Sequence, residues 1–191
     1  KILKAAMLGK MLPRDGNYIP EIRFSGFTEP WEQRKLGKIT SKIGSGKTPL
    51  GGCKTYKERG IALIRSQNVN DNIVDLSDVV YIDTMTDESM EKSRVYYGDV
   101  LLNITGASIG RSAVYKGLEH ANVNQHVCII RLIKGYIPEF LQLNLLSDKG
   151  QKQIDSNQAG GAREGLNFQQ ISYMKFLFPL EEEQKRIGEY F

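Results

Sequence analysis

The sequence has few of the residues that build metal centres and disulfide frameworks. It contains two cysteines and two histidines among 191 residues. Cys53 and Cys128 form no Cys-x-x-Cys pair, and no histidine stands at metal-ligand spacing from them. We therefore expect no metal site and no disulfide, and this composition fits a reducing, cytoplasmic location.

Long apolar runs are also missing. No stretch approaches the roughly 20 apolar residues of a membrane-spanning helix, so we expect no membrane partner. The first twelve residues are interrupted by Lys4 and Lys10, which argues against a secretion signal. The chain does not begin with Met and ends without a helix terminator, so we expect both ends to continue in a longer protein.

The remaining composition is that of a soluble globular protein, with 40% hydrophobic and 25% charged residues. The length allows one substantial domain with appendages or two small domains. A net charge of +4 permits a nucleic-acid partner without requiring one.

The most informative stretch runs from Tyr96 to Arg131. Its short apolar runs predict three strands, at residues 100–104, 112–115 and 127–132. The turns between them are polar: residues 105–111 include two glycines, and residues 122–126 contain four side chains that form hydrogen bonds. Asn, Gln and Arg make bidentate contacts to bases, so these turns suit a surface that reads polar base edges. An ordinary strand–turn–strand core with solvated turns is the alternative.

Residues 42–65 form a basic segment, with six Lys and Arg residues against the single acid Glu58. Its centre, residues 44–52, is a glycine-rich loop in which Gly46-Lys47-Thr48 suggests a phosphate-binding loop of a nucleotide hydrolase. That motif requires glycine where Ser41 stands, and a helix where Pro49 follows. We therefore favour a flexible basic loop that approaches a nucleic-acid backbone, with solvated surface as the alternative.

Further elements follow from local patterns. Apolar runs predict strands at residues 60–65, 79–82 and 174–178, and the first of these precedes a polar cluster at residues 66–70. Residues 71–91 carry seven acids and no Lys or Arg, and we expect them to face away from a polyanion. Turns are predicted at residues 31–36, as a helical turn, and at 169–173. Helices are predicted at residues 1–12, 83–93, 139–146 and 180–191, and at 147–157 after a break near residues 149–150.

The sequence resembles the DNA-specificity subunits of type I restriction–modification systems over nearly its whole length. The resemblance is carried by seven segments, at residues 20–27, 31–37, 46–49, 98–102, 109–110, 124–125 and 179–187. The most specific are Arg23-Phe24-Ser25-Gly26-Phe27 and the ending Pro179-Leu180-Glu181-Glu182-Glu183-Gln184-Lys185-Arg186-Ile187.

This resemblance implies an α+β domain with a mixed, mostly antiparallel, twisted or barrel-like sheet and short helices. Helical segments at both ends would belong to an antiparallel coiled-coil spacer. Residues 1–13 would end the central spacer helix, residues 14–179 would form a target-recognition domain, and residues 180–191 would begin the last spacer helix. A separately encoded half-length subunit is the alternative, and a homodimer through the terminal helices is possible in either form.

The same resemblance implies that the chain is not an enzyme. It would bind double-stranded DNA at one half of a split site and direct modification and restriction subunits to it. S-adenosylmethionine, ATP and magnesium would belong to those partner subunits. The sequence contains no methyltransferase motif and no nucleophile–base constellation, and we expect structural roles for His120 and His126.

Residue type and loop placement predict the DNA contacts. We expect phosphate contacts from Lys42, Lys47, Lys54 and Lys57, with Thr48 beside them. The expected base readers are Arg65, Gln67, Asn68, Ser108, Arg111, Asn124, Gln125 and Arg163. Arg163 lies at the tip of a second glycine-rich loop, residues 158–167. A pure assembly module that binds protein through its terminal helices is the rival function.

Overall fold

The structure, a computed structural model, describes residues 2–14, 16–158 and 165–191, with the side chains of residues 2, 3 and 5 left aside. Its α-helices are α1 Ile2–Met11, α2 Thr84–Ser89, α3 Pro138–Leu146, α4 Asp148–Gln158, α5 Phe168–Tyr173 and α6 Glu181–Tyr190. Its strands are β1 Glu32–Lys35, β2 Thr40–Ser45, β3 Ile61–Ile64, β4 Val69–Asn70, β5 Ile73–Val74, β6 Val80–Ile82, β7 Arg94–Val95, β8 Val100–Asn103, β9 Ser112–Val114, β10 Ala121–Val123, β11 Val127–Leu132 and β12 Lys175–Phe178.

Two four-stranded sheets form the centre of the protein. The first sheet has the order β2-β11-β8-β9 and is antiparallel throughout. The second sheet has the order β6-β3-β10-β7, in which β3 and β10 run parallel. Two short pairs, β1-β12 and β4-β5, complete the described strands. The predicted α+β class is confirmed, but the strands are divided among these sheets and do not form one barrel-like sheet.

The first sheet is the middle layer, because its strands β8, β9 and β11 bury side chains on both faces. Leu101, Val127 and Ile129 point to the second sheet and share a core with Val123. Their neighbours in sequence point the other way and pack against the helices, as Cys128 does with Phe140 of α3. Burial on both faces explains why these strands read as continuous apolar runs in the sequence.

The outer face of the first sheet is covered by the β1-β12 pair and by every described helix except α2, whose Asp87 bonds to Asn122 of the second sheet. Trp31 is 2% exposed and its ring meets that of Phe140 edge-on, with centroids 5.5 Å apart. Trp31 therefore packs the end of the segment before β1 onto the domain. Residues 32–35, however, form β1 opposite β12, so the predicted helical turn at 31–36 is wrong.

Most helix boundaries agree with the sequence patterns. Asp83 caps α2 by accepting a 2.9 Å hydrogen bond from the Thr86 N–H, and Pro138 stands in the first turn of α3. The predicted break lies at Ser147, before the position expected from Lys149-Gly150. Residues 168–173 form α5 and not a simple turn. Among the described residues, every helix is too short or too polar to cross a membrane.

Candidate nucleic-acid interface

Four polar turns meet at one edge of the two central sheets. β2 and β8 both run antiparallel to β11, so their C-terminal ends lie beside the start of β11. The parallel strands β3 and β10 also end together. A backbone hydrogen bond from Gly46 N to Asn124 O at 3.2 Å joins the two sheets there, and one from Asn124 N to Ile64 O at 3.1 Å continues the pairing of β10 with β3. We call the four turns, residues 46–48, 65–70, 104–111 and 124–126, the polar edge.

A line of side-chain hydrogen bonds crosses the polar edge. The Thr48 hydroxyl donates to Oε1 of Gln125 at 2.6 Å. Nε2 of Gln125 lies 3.0 Å from Nε2 of His126, whose Nδ1 lies 2.5 Å from Oγ1 of Thr105. If the Gln125 amide donates to Nε2, the neutral imidazole carries its proton on Nδ1 and donates to Thr105. His126 thus has a structural role, as expected, and the basic loop is joined to the central turn.

The second glycine-rich loop returns to the same edge. Gly165 forms an isolated antiparallel bridge with Thr105, and Leu166 N donates to Ile104 O at 2.9 Å. Arg163, a predicted base reader, lies outside the described residues.

Asn103 organises the edge from beneath, and the sequence analysis missed it. Its fully buried Nδ2 lies within hydrogen-bond distance of Ser66 O at 2.9 Å and of Oγ of Ser108 at 3.1 Å. The sequence feature that could have indicated this role is an amide side chain at the end of an otherwise apolar strand. Asn68 is similarly committed, since it is 2% exposed, accepts from Arg65 N at 3.0 Å and donates to Asp75 O at 3.1 Å. Both amides hold turns in place.

One acid of the acidic segment, Asp78, contacts the polar edge, so the expectation that this segment faces away is wrong at that residue. Asp78 accepts a 2.6 Å hydrogen bond from Nε2 of Gln67, and its carboxylate lies 3.6 Å from the Arg65 guanidinium. Nη2 of Arg65 also donates to Asp78 O at 2.7 Å. The positive charge of Arg65 attracts the Asp78 carboxylate to this turn, because opposite charges attract at this distance.

The remaining edge residues differ in exposure. Lys47, Thr48, Gln67, Arg111 and Gln125 are exposed. Ser108 and Asn124 are half-buried, and Oδ1 of Asn124 accepts from His126 N at 3.0 Å. Arg111 reaches Oδ1 of Asn70 at 3.5 Å, a long hydrogen bond that leaves the guanidinium largely in solvent.

Two predicted phosphate contacts, Lys42 and Lys57, lie away from the polar edge, and a third, Lys54, lies in the turn that follows the basic loop. Lys42 stands opposite Arg131 where β2 runs beside β11, and its Nζ donates to Arg94 O at 3.3 Å. Its burial, together with the Arg131 charge, lowers the pKa of Lys42 below its usual value. Lys57 lies beyond β6, where it pairs with Tyr81 and approaches Asp83 at 3.9 Å. Lys54 is exposed in the preceding turn, Gly52–Thr55.

The described residues contain no group of three or more His, Cys, Asp or Glu side chains that could hold a metal ion. His120 lies with its Nε2 3.2 Å from Oδ1 of the buried Asp87, which Arg94 also pairs, so its contacts are those of a structural residue. The arrangement suits contact with a polar, charged ligand across several turns.

Comparisons with known proteins point to one group. Residues 28–191 match the family described as the type I restriction modification DNA specificity domain. A Methanocaldococcus jannaschii protein named as the type I restriction enzyme MjaX specificity subunit is 29% identical over 84% of the chain and 38% of its own length. The type I restriction enzyme EcoBI specificity subunit of Escherichia coli is 28% identical over 97% of the chain and 40% of its own length. The chain thus spans about two fifths of these relatives.

A solved structure shares the fold. The crystal structure of the HsdS subunit from Thermoanaerobacter tengcongensis superposes with a TM-score of 0.65 at 17% identity, over 99% of this chain and 41% of that one. A chain from a study of complex assembly in the type I R-M system gives a TM-score of 0.68 at 16% identity, over 99% and 42%.

Proposed function

Since this chain belongs to the type I restriction–modification DNA specificity family, we propose that it reads one half of a split site in double-stranded DNA. It directs the modification and restriction subunits of the complex to that site. The chemistry belongs to those partners, which use S-adenosylmethionine, ATP and magnesium, and this chain supplies sequence specificity alone.

The convergence of four polar turns at one edge is the main support for this function. The strands that deliver them are buried on both faces, so the turns have a rigid base. A duplex presents its base edges as closely spaced donors and acceptors in the groove, and a surface of amides, hydroxyls and guanidinium groups matches them.

The geometry suggests how phosphate and base contacts are divided. Lys47 and Thr48 stand on the basic loop and are placed to contact phosphates, which fix the protein's position without reading sequence. Gln125, Arg111 and Gln67 are exposed on the neighbouring turns and are the strongest candidates for base contacts. Ser108, Asn124 and Arg163 remain proposed readers. Asn68 and Arg65 are less exposed, and like Gln125 and Gln67 they would have to exchange hydrogen bonds within the chain for contacts to bases.

The ends of the chain have a separate role in this proposal. Residues 1–13 end one spacer helix, residues 14–179 are the recognition domain, and residues 180–191 begin a second spacer helix. In the complete subunit the two helices pair as an antiparallel coiled coil and carry the modification subunits. The same helices provide a homodimer contact if the protein is a half-length subunit.

Methylation mapping tests the proposal directly. The complete subunit is assembled with its modification partners, and methylated positions are mapped in a genome that lacks other methyltransferases. Gln125→Ala should relax the preference at one position of the half-site, because each bidentate base contact supplies about 1–3 kcal/mol of discrimination. Gln169→Ala, an exposed change on α5 beside Leu36, is the control and should leave the site unchanged.

The rival function, an assembly module without a DNA role, predicts a different result. In that case the wild-type subunit would show no salt-dependent DNA affinity, and exchanging it would leave the methylated sequence unchanged. Either observation would remove the proposed function.

A further inference from the structure

Helix α6 is joined to the domain by a buried ion pair. Nε of Arg23 donates to Oε1 of Glu183 at 2.7 Å, and Nη2 donates to Oε2 at 2.8 Å. The Glu183 side chain is fully buried and that of Arg23 is 12% exposed. A bidentate pair fixes the relative orientation of its two planar groups. The segment before β1 therefore holds the first turn of α6 at a defined angle.

Gln184 ties the same turn to the start of α3. Its Oε1 accepts from Ile137 N at 3.1 Å, and its Nε2 donates to Pro179 O at 2.9 Å and to Gly135 O at 3.3 Å. Gln184 is 1% exposed, so these bonds lie out of competition with water. The beginnings of α3 and α6 are thereby held together.

The rest of α6 lies closely on α3 and on the segment before β1. A Cβ atom on Gly188 would stand 2.9 Å from Cβ of Glu139, too close for the two helices to remain in place. On the other side, the Tyr190 ring meets that of Phe24 edge-on at 6.1 Å, and the Arg186 guanidinium lies 5.3 Å from the centre of the Phe27 ring. We call these contacts of α6 the helix junction.

The composition of the helix junction favours orientation over stability. The buried side chain of Ile187 already supplies α6 with apolar contact. A buried ion pair adds little net stability, because the cost of removing both charges from water offsets their attraction. It does exclude other orientations, since a shifted helix would leave Glu183 buried without a partner.

From this geometry we infer that the helix junction sets the angle at which α6 leaves the domain. Arg23, Glu183, Gln184 and Gly188 thereby determine which separation of the two half-sites the assembled enzyme accepts. This inference rests on the proposed function, because it concerns the spacer helix that α6 begins.

A small tilt of α6 is enough to change the half-site spacing by one base pair. A ten-residue helix is roughly 15 Å long, and one base pair advances the duplex by about 3.4 Å. A tilt of roughly 13° about the first turn would move the far end of α6 by that distance. Loosening the junction by this amount should therefore admit sites that are one base pair too long or too short.

Two substitutions loosen the junction in different ways. Gly188→Ala places a methyl group between α6 and α3 and leaves the ion pair intact. Glu183→Gln keeps the shape of the side chain and removes its charge. Gly44→Ala is the matched control, since it is the same change in strand β2, outside both spacer helices, at a position where an added Cβ meets nothing within 4 Å.

The test measures methyl transfer by the complete subunit assembled with its modification partners. The substrates are duplexes that carry the mapped half-sites at native spacing and at one base pair more or less. We expect Gly188→Ala and Glu183→Gln to raise the rate at altered spacing, relative to native spacing, by about tenfold, equivalent to about 1.4 kcal/mol. Gly44→Ala should leave this ratio unchanged.

The outcomes separate this inference from the function on which it rests. If the wild-type enzyme shows no sequence preference, the proposed function fails. If the wild type is selective for spacing and folded variants are equally selective, only the role of the helix junction is overturned. Should either variant fail to fold, Arg23→Lys keeps the charge and loses the bidentate geometry. An unchanged spacing ratio in Arg23→Lys would then overturn the inference.

Discussion

Asp87 and Arg94 form an ion pair beneath the polar edge, with Nη2 of the guanidinium 2.6 Å and Nε 3.1 Å from Oδ2 of the carboxylate. Asp87 is 2% exposed and also accepts a hydrogen bond from Nδ2 of Asn122. Ser93 donates to Oδ1 of the same Asn122 at 2.7 Å. This carboxylate therefore joins α2 to β7 and β10, and β10 leads directly into the turn that carries Gln125.

Replacing this carboxylate should destabilise the fold in a pH-dependent manner. Burial alone would raise the pKa of Asp87, but hydrogen bonds from Arg94 and His120 outweigh it and hold the pKa below its usual value. A depressed pKa contributes stability that is present above the unfolded value, about 3.9, and is lost as the pH falls through the folded value. Asp87→Asn should cost about 3 kcal/mol at pH 7, because it leaves Arg94 without its charged partner.

Urea unfolding between pH 7 and pH 3 measures this effect. The difference in unfolding free energy between wild type and Asp87→Asn should stay constant down to about pH 5 and shrink below about pH 4. Asp155→Asn, on the exposed side of α4, is the control. A difference that does not change with pH would contradict the role given to the Asp87 charge.

Gly46 should not tolerate a side chain. A Cβ atom there would lie 1.6 Å from Val123 O, and backbone cannot move aside as a flexible side chain can. Gly46→Ala should cost about 3 kcal/mol of stability and separate the basic loop from the turn at 124–126. Gly44→Ala, two residues earlier, meets nothing within 4 Å and should change stability by less than about 0.5 kcal/mol. Thermal unfolding of both variants measures these changes. Equal losses of stability would show that the close approach of Gly46 to Val123 does not exclude a side chain at position 46.

Lys47 should contribute to DNA affinity without contributing to sequence choice. Lys47→Ala should weaken binding to all duplexes and reduce the slope of log affinity against log salt concentration by about 0.9, the value for one phosphate contact. Lys134→Ala removes an exposed charge that follows the opposite end of β11 and should leave the slope unchanged. Fluorescence anisotropy over a range of salt concentrations provides the measurement. Identical slopes for the two variants would remove Lys47 from the interface.

The two cysteines should differ sharply in reactivity. Burial raises the pKa of Cys128 to about 12, so its thiol is both protonated and inaccessible at pH 8. Cys53 is exposed in the turn that follows the basic loop. A thiol-specific reagent should therefore modify one thiol per chain in the native protein and two after denaturation. Cys53→Ser should abolish the native reaction, and residual labelling at the native rate would show that the core around Cys128 opens.

Sequence patterns predicted well those elements whose secondary structure is determined by residues close together in the chain. The strands from Val100, Ser112 and Val127 are apolar runs of strand length, and the start of α2 follows from the capping chemistry of Asp83. In contrast, β1 has the sequence Glu-Gln-Arg-Lys and is exposed throughout. It becomes a strand only because β12 lies beside it, 140 to 146 residues further along the chain. Tertiary pairing of this kind overrides local propensity.

The candidate site was predictable in kind but not in arrangement. Amides and hydroxyls at strand ends indicated a polar surface, and the resemblance supplied its ligand. Which ends meet depends on strand order, and the parallel pairing of β3 with β10 could not be deduced from either strand alone. The contact of Asp78 with Arg65 and Gln67 was missed for the same reason. The distribution of charge along the sequence does not show which carboxylate lies near the basic residues in the folded protein.

The middle-layer position of the first sheet has an evolutionary consequence. Its buried side chains supply the packing, whereas the exposed side chains of the polar edge contribute little to it. Mutations at Gln125, Arg111 or Gln67 should thus cost little folding stability. Under the proposed function, the DNA sequence that is read can then change in evolution while the scaffold stays constant. Asn103 restricts such change, because it bonds to backbone groups of a neighbouring turn. A turn that became much longer or shorter would lose these hydrogen bonds.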